Sequence, residues 1–154
     1  MAPYAVAHLK IGLKLHDTGD AFGSEVRTQV YLTNALEPAR AKQFTLGFMP
    51  ALAHEAQAVN AKKTETLFSI IMGNPPYSSS KTSNDWINDL VKDFKEGLRE
   101  KKSDLNRAEW KFLRFSSHHL EKSSVGILGL VINNAFLSAP THCRLRAFLL
   151  GQST

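Results

Sequence analysis

The stretch LFSIIMGNPPYSSS, residues 67–80, changes character in its middle. Leu67–Met72 is too short and too apolar for an amphipathic helix, which predicts a fully buried strand. The run stops at Gly73, and Asn74-Pro75-Pro76-Tyr77 follows, then Ser78–Ser80. Two successive prolines fix φ at both positions and remove two backbone N–H donors. Pro75 also biases Asn74 away from helical geometry. The result is a stiff, extended loop that offers carbonyl oxygens and no donors, with the Asn74 side-chain carbonyl as a further acceptor. Tyr77 adds a flat face on which a planar ring can stack.

Rigid acceptors beside an aromatic face suit an amino group on an aromatic ring, because an amine brings N–H bonds that need oxygens. An exocyclic amine on a nucleobase has that form, and a base inside a duplex reaches such a pocket only after it is flipped out. The plainer alternative is a strand that turns on Pro-Pro, with Tyr77 packed in the core.

The rest of the chain gives this loop a setting. Residues 3–18 carry Ala5, Val6, Leu9 and Leu13 at helical spacing, with Gly19 as a stop. Gln29–Thr33 reads as a short strand ending at Asn34, and Ala51–Lys63 as an alanine-rich helix. A helix begins at Asn84, with Ile87, Leu90, Val91, Phe94 and Leu98 on one stripe. A second runs from about Asp104 to His119, with Leu105, Ala108, Phe112 and Phe115 inward. Val125–Ile132 predicts another fully buried strand, closed by Asn133-Asn134, and a last helix passes through Arg144-Leu145-Arg146. Buried strands alternating with helices predict an α/β layer with parallel strands. Ligands of such layers sit beyond the carboxyl ends of the strands, where Asn34, Asn74 and Asn133 all fall.

Composition excludes several classes. No apolar run approaches the roughly 18 residues of a membrane helix, and MAPYAVAHLK lacks the basic start of a secretory leader. The single cysteine, Cys143, allows no internal disulfide and reads as a small buried side chain or an incidental thiol. These features predict a cytoplasmic protein with no membrane partner. The net charge of +5 is dispersed over both signs, so it suits a polyanion partner and a solvated mixed surface equally. His118-His119 is no metal pair, since adjacent helical residues point about 100° apart, and no further ligand has suitable spacing. No metal site is expected.

Gly73-Asn74-Pro75-Pro76-Tyr77 after an apolar strand resembles motif IV of the amino-group DNA methyltransferases, in the form used for adenine. The resemblance extends to PYAVAHLKIGLKL (3–15), QVYLTNALE (29–37), the run NDWINDLVKDFKEGLREKKSDLNRAEWKFLRF (84–115) and GLVINNAFLSAPTHCRLRAFLL (129–150). These are similar to the methyltransferase core of Type IIG and single-polypeptide Type I restriction–modification enzymes. The resemblance implies that residues 1–154 are part of a Rossmann-like, S-adenosylmethionine-dependent catalytic domain acting on double-stranded DNA. It implies that Asn74 and the Pro75 carbonyl bind the target amine, that Pro76 stiffens the loop, and that Tyr77 stacks on the flipped adenine. Asn34 then lies near the cofactor adenine, and Ser78 and Lys81 are placed for DNA phosphate or strand contacts.

The family's Gly-rich cofactor turn is missing. Glycines stand at 12, 19, 23, 47, 73, 97, 126, 129 and 151, and no two are one residue apart. The family order, 3-2-1-4-5, implies that this chain holds strands 3, 4 and 5 without the first two. The expectation is therefore a fragment that binds S-adenosylmethionine weakly or not at all and is inactive until the missing parts of its parent polypeptide are supplied. A non-catalytic nucleic-acid-binding module that keeps the base pocket is the alternative. Cytosine amines and protein glutamines meet similar tetrads, and the longer matches favour DNA adenine.

Overall fold

The computed structural model describes residues 2–21, 23, 28–39, 50–77, 84–98, 105–123 and 125–152. They fall into two units: Met1–Asn34 with Arg40–Lys62, and Ala35–Ala39 with Lys63–Thr154.

In the first unit, helix α1 spans Ala2–Asp17. Its last turn carries Lys14 and His16, where cations complement the carbonyl end of the helix. The chain leaves through Gly19 at φ +99°, a left-handed position that favours glycine. Asp20 N donates to Leu15 O (3.0 Å) and Gly19 N to His16 O (2.9 Å), which satisfies two terminal carbonyls. Helix α2 spans Pro50–Glu65, with proline at the position where its missing N–H costs nothing. The Tyr4 hydroxyl donates to Glu55 Oε1 at 3.0 Å and ties the two helices together. The predicted strand Gln29–Thr33 does not form: residues 28–34 have no ladder partners, Val30 N donates instead to Thr28 O (2.9 Å), and Leu32 is 55% exposed. A strand needs a hydrogen-bonded neighbour, and none of the described segments supplies one.

The second unit contains the sheet. Strands β1 (Ile70–Gly73) and β2 (Ile127–Leu130) pair in parallel, with Ile70 opposite Ile127 and Gly73 opposite Leu130. The order among the described residues is therefore a two-stranded α/β layer, with β1 and β2 standing where the fourth and fifth strands were expected and no third strand. Both strands are shorter than their apolar runs, and neither is fully buried. Leu128, Leu130 and Ile132 pack against the core, whereas Ile70, Met72, Ile127 and Val131 are exposed at 59–80%. Parallel strands carry apolar residues on both faces, and among the described residues of this unit only one face meets packed helices.

That covered face meets α4 (Ala108–Leu120), the 3₁₀ turn Val91–Phe94 and α5 (Cys143–Gln152) in one core, and α3 (Asp85–Leu90) packs on α4. Asn84 starts α3: its Oδ1 accepts from Ile87 N (3.0 Å) and its Nδ2 donates to Leu36 O (2.8 Å). The predicted long helix narrows to a 3₁₀ turn at Val91. The stripe it carries is real, with Ile87, Val91 and Phe94 fully buried. On α4 the inward residues are Ala108, Trp110 and Leu113, joined by Leu105 just before it, while Phe112 and Phe115 are half-buried. The buried Arg114 binds Asp93 Oδ2 through Nε (3.0 Å) and Glu121 Oε1 through Nη1 (2.9 Å), and lies 4.9 Å from the Phe148 ring centre. One guanidinium thus joins the 3₁₀ turn, α4 and α5. Arg146 Nη1 donates to Phe136 O (2.7 Å) and Ala139 O (2.9 Å), clamping the two short turns before α5. Cys143 is exposed at the start of α5, not buried. No helix among the described residues is long and apolar enough to cross a membrane.

Candidate functional site

The Asn74 loop lies at the carboxyl end of β1, and its neighbour strand holds it at two points. Val131 follows β2 directly, and its N–H donates to Gly73 O at 3.0 Å. The Tyr77 hydroxyl donates to Val131 O at 3.1 Å. One residue on the partner strand therefore fixes both the entry and the exit of residues 73–77. Between those points Pro75 is buried, while Asn74, Pro76 and Tyr77 are exposed. Tyr77 as a residue is 49% exposed, with its hydroxyl tied to Val131 O. The Asn74 side chain makes no hydrogen bond among the described residues.

This geometry follows from local chemistry. The prolines have no N–H to offer a ladder, so β1 stops at Gly73. All peptide bonds described here are trans. A half-exposed phenol with its oxygen hydrogen-bonded suits a residue that joins an apolar ring to a polar tip. The loop leaves both Asn74 and Tyr77 exposed at the carboxyl end of β1. Tyr77 lies at the surface, so the alternative in which it fills the core does not hold.

The other candidate positions do not all join this loop. Asn34 is exposed and belongs to the first unit. Ser78 and Lys81 lie outside the described residues. Asn133 caps the 3₁₀ turn Asn134–Leu137 through Oδ1, which accepts from Ala135 N at 2.8 Å. His118 and His119 turn into an aromatic cluster, and among the described residues no group of His, Cys, Asp or Glu could hold a metal ion. Val131 escaped the sequence reading because it lies 54 residues from Tyr77. The parallel register of the two apolar runs is the signal that places it, since it continues the pairing by one residue past Leu130.

Comparison with known proteins adds the family. The family model described as Eco57I restriction-modification methylase matches residues 5–154. No curated protein and no solved structure matches. The match takes in the Asn74 loop, both strands and every described helix, and the chain belongs to the Eco57I restriction-modification methylase family.

Proposed function

We propose that Asn74-Pro75-Pro76-Tyr77 receives a DNA adenine turned out of the duplex, for methylation of its exocyclic amine. The Asn74 side-chain oxygen and the Pro75 carbonyl accept the amine's two N–H bonds, and the Tyr77 ring stacks on the base. Pro76 keeps the loop from folding back onto β1. Two acceptors on one amine orient its lone pair and favour the positive charge that nitrogen acquires on alkylation. The observation that carries this reading is the double hold of Val131 on a loop in which Asn74 and Tyr77 stay exposed. Ser78 and Lys81 follow directly and are assigned to the DNA strand, and Asn34 to the edge of the cofactor site.

The methyl donor of the family is S-adenosylmethionine, and these residues do not fit it unaided. No Gly-x-Gly occurs in the 154 residues. The described glycines at positive φ are Gly19, which closes α1, and Gly97, which follows the 3₁₀ turn, and neither opens a turn after a strand. We therefore assign donor binding to a segment that these residues do not include, and expect the chain alone to be inactive. Calorimetric titration with S-adenosylmethionine tests this. Tight binding is expected only after a Gly-rich segment from another Eco57I-type methylase is mixed in, and tight binding by the chain alone overturns it. The missing turn also favours a second reading, a base-binding module without catalysis, in which mixing restores no donor binding.

A further inference from the structure

A cavity lies towards the other end of β1. Phe68 stands just before the strand, and its ring meets His119 edge-on at 5.7 Å, whereas Asn74 follows the strand's last residue. The cavity holds about 130 Å³ and is walled by Trp86, Phe115, His118 and His119. These rings brace one another edge-to-face, with centres 4.6–6.2 Å apart. Lys63 and Lys122 also line it. The Lys63 ammonium donates to Glu37 O (2.9 Å) and the Lys122 ammonium to Lys63 O (3.4 Å), and Glu37 lines the same cavity.

Three features of this cavity point to one chemistry. A volume near that of a cavity that admits benzene, about 150 Å³, suits a single planar ring. Its aromatic walls suit stacking or edge contact with that ring. The His119 Nδ1 atom is buried with no hydrogen-bond partner, so the wall has polar capacity left for a ring that carries hydrogen-bonding groups. Burial, and then the nearby Lys122, lowers the pKa of both imidazoles, that of His119 to about 4, so the wall is neutral at physiological pH and the positive charge stays on the lysines.

We propose that this cavity binds the base of a nucleotide whose phosphate meets Lys63 and Lys122. The nucleotide is either a free mononucleotide or the phosphorylated end of a single strand. The site is independent of the role given to Asn74. The test titrates the full chain with uridine 5′-monophosphate, with uridine, and with a 5′-phosphorylated oligothymidylate, following the imidazole signals of His118 and His119 by NMR. Saturable shifts with the monophosphate are expected. Lys122→Glu, on an exposed side chain, should weaken monophosphate binding at least tenfold and leave uridine binding unchanged. Asn74→Ala should leave all three titrations unchanged. Tighter binding of the oligonucleotide identifies a strand end as the source, and equal or weaker binding a free nucleotide. Absence of saturable shifts in the folded chain overturns the proposal, as does monophosphate binding that is indifferent to Lys122→Glu or lost with Asn74→Ala.

Discussion

Val131 does for the Asn74 loop what no residue inside the loop can do. Pro75 and Pro76 stiffen the backbone, but only a partner outside the loop fixes where the Tyr77 ring points. The Tyr77 hydroxyl bond to Val131 O spans the two strand ends at a half-exposed site. Tyr77→Phe should therefore cost about 1 kcal/mol of stability, read in a urea melt, with the far-ultraviolet spectrum unchanged. An effect within error would show that the bond does not hold the ring. Asn74 and its prolines were legible in the sequence because their chemistry is local. Their anchor was not, because tertiary pairing chose it from a run in which Val125, Ile127, Val131 and Ile132 look alike.

His119 supplies a second prediction at this scale. Burial holds its pKa down to about 4, against an unfolded value near 6.5. Between those values the unfolded chain binds a proton that the folded chain refuses, so stability falls as pH drops from about 6.5 towards 4. The slope from this one group is at most about 1.4 kcal/mol per pH unit. Urea melts at pH 7 and pH 5 measure it, and His119→Phe should flatten the dependence. An unchanged slope in that variant would assign the effect elsewhere.

At the scale of elements, apolar runs located β1 and β2, helical spacing located α1, α3 with its 3₁₀ continuation and α4, and alanine content located α2. Their burial was the part that could not be read. An apolar run says which residues suit a two-sided interior, not whether both sides are covered. Exposed Ile70 and Met72 against buried-face Leu128 and Leu130 make that distinction residue by residue. Gln29–Thr33 failed for a related reason, since strand propensity without a paired edge forms no strand. Close packing at the start of β2 shows where the layer is tight. A Cβ on Gly126 would stand 3.3 Å from Ser69 O and 2.5 Å from Leu120 Cδ2, beside the bond from Ile127 N to Ser69 O (2.8 Å). Gly126→Val should cost roughly 1–3 kcal/mol. Arg114→Met should cost about 2–4 kcal/mol, because Asp93 and Glu121 lose a shared partner and three elements lose their tie. Chemical denaturation checks both, and wild-type midpoints would refute the packing described.

For the whole molecule, the consequence is a surface with unusual apolar content. Met72 is 80% exposed and Ile127 64%, on one sheet face with Ile70, which stands opposite Ile127, and Val131. Contiguous apolar surface of this kind promotes association. Met72→Lys with Ile127→Thr should reduce self-association, read by light scattering, while moving the unfolding midpoint little, because both side chains already face water. A large loss of stability would mean that this face is packed rather than open.

The central claim, that the Asn74 loop grips the amine of an everted adenine, meets its most direct test in methyl transfer. The chain is combined with a Gly-rich cofactor segment from another Eco57I-type methylase, labelled S-adenosylmethionine and double-stranded DNA, and the methylated base is identified. The account predicts label on the adenine amine and a loss of roughly 100-fold or more in rate with Asn74→Ala, the scale of removing one hydrogen-bonding group that acts on developing charge. An undiminished rate with Asn74→Ala would contradict it.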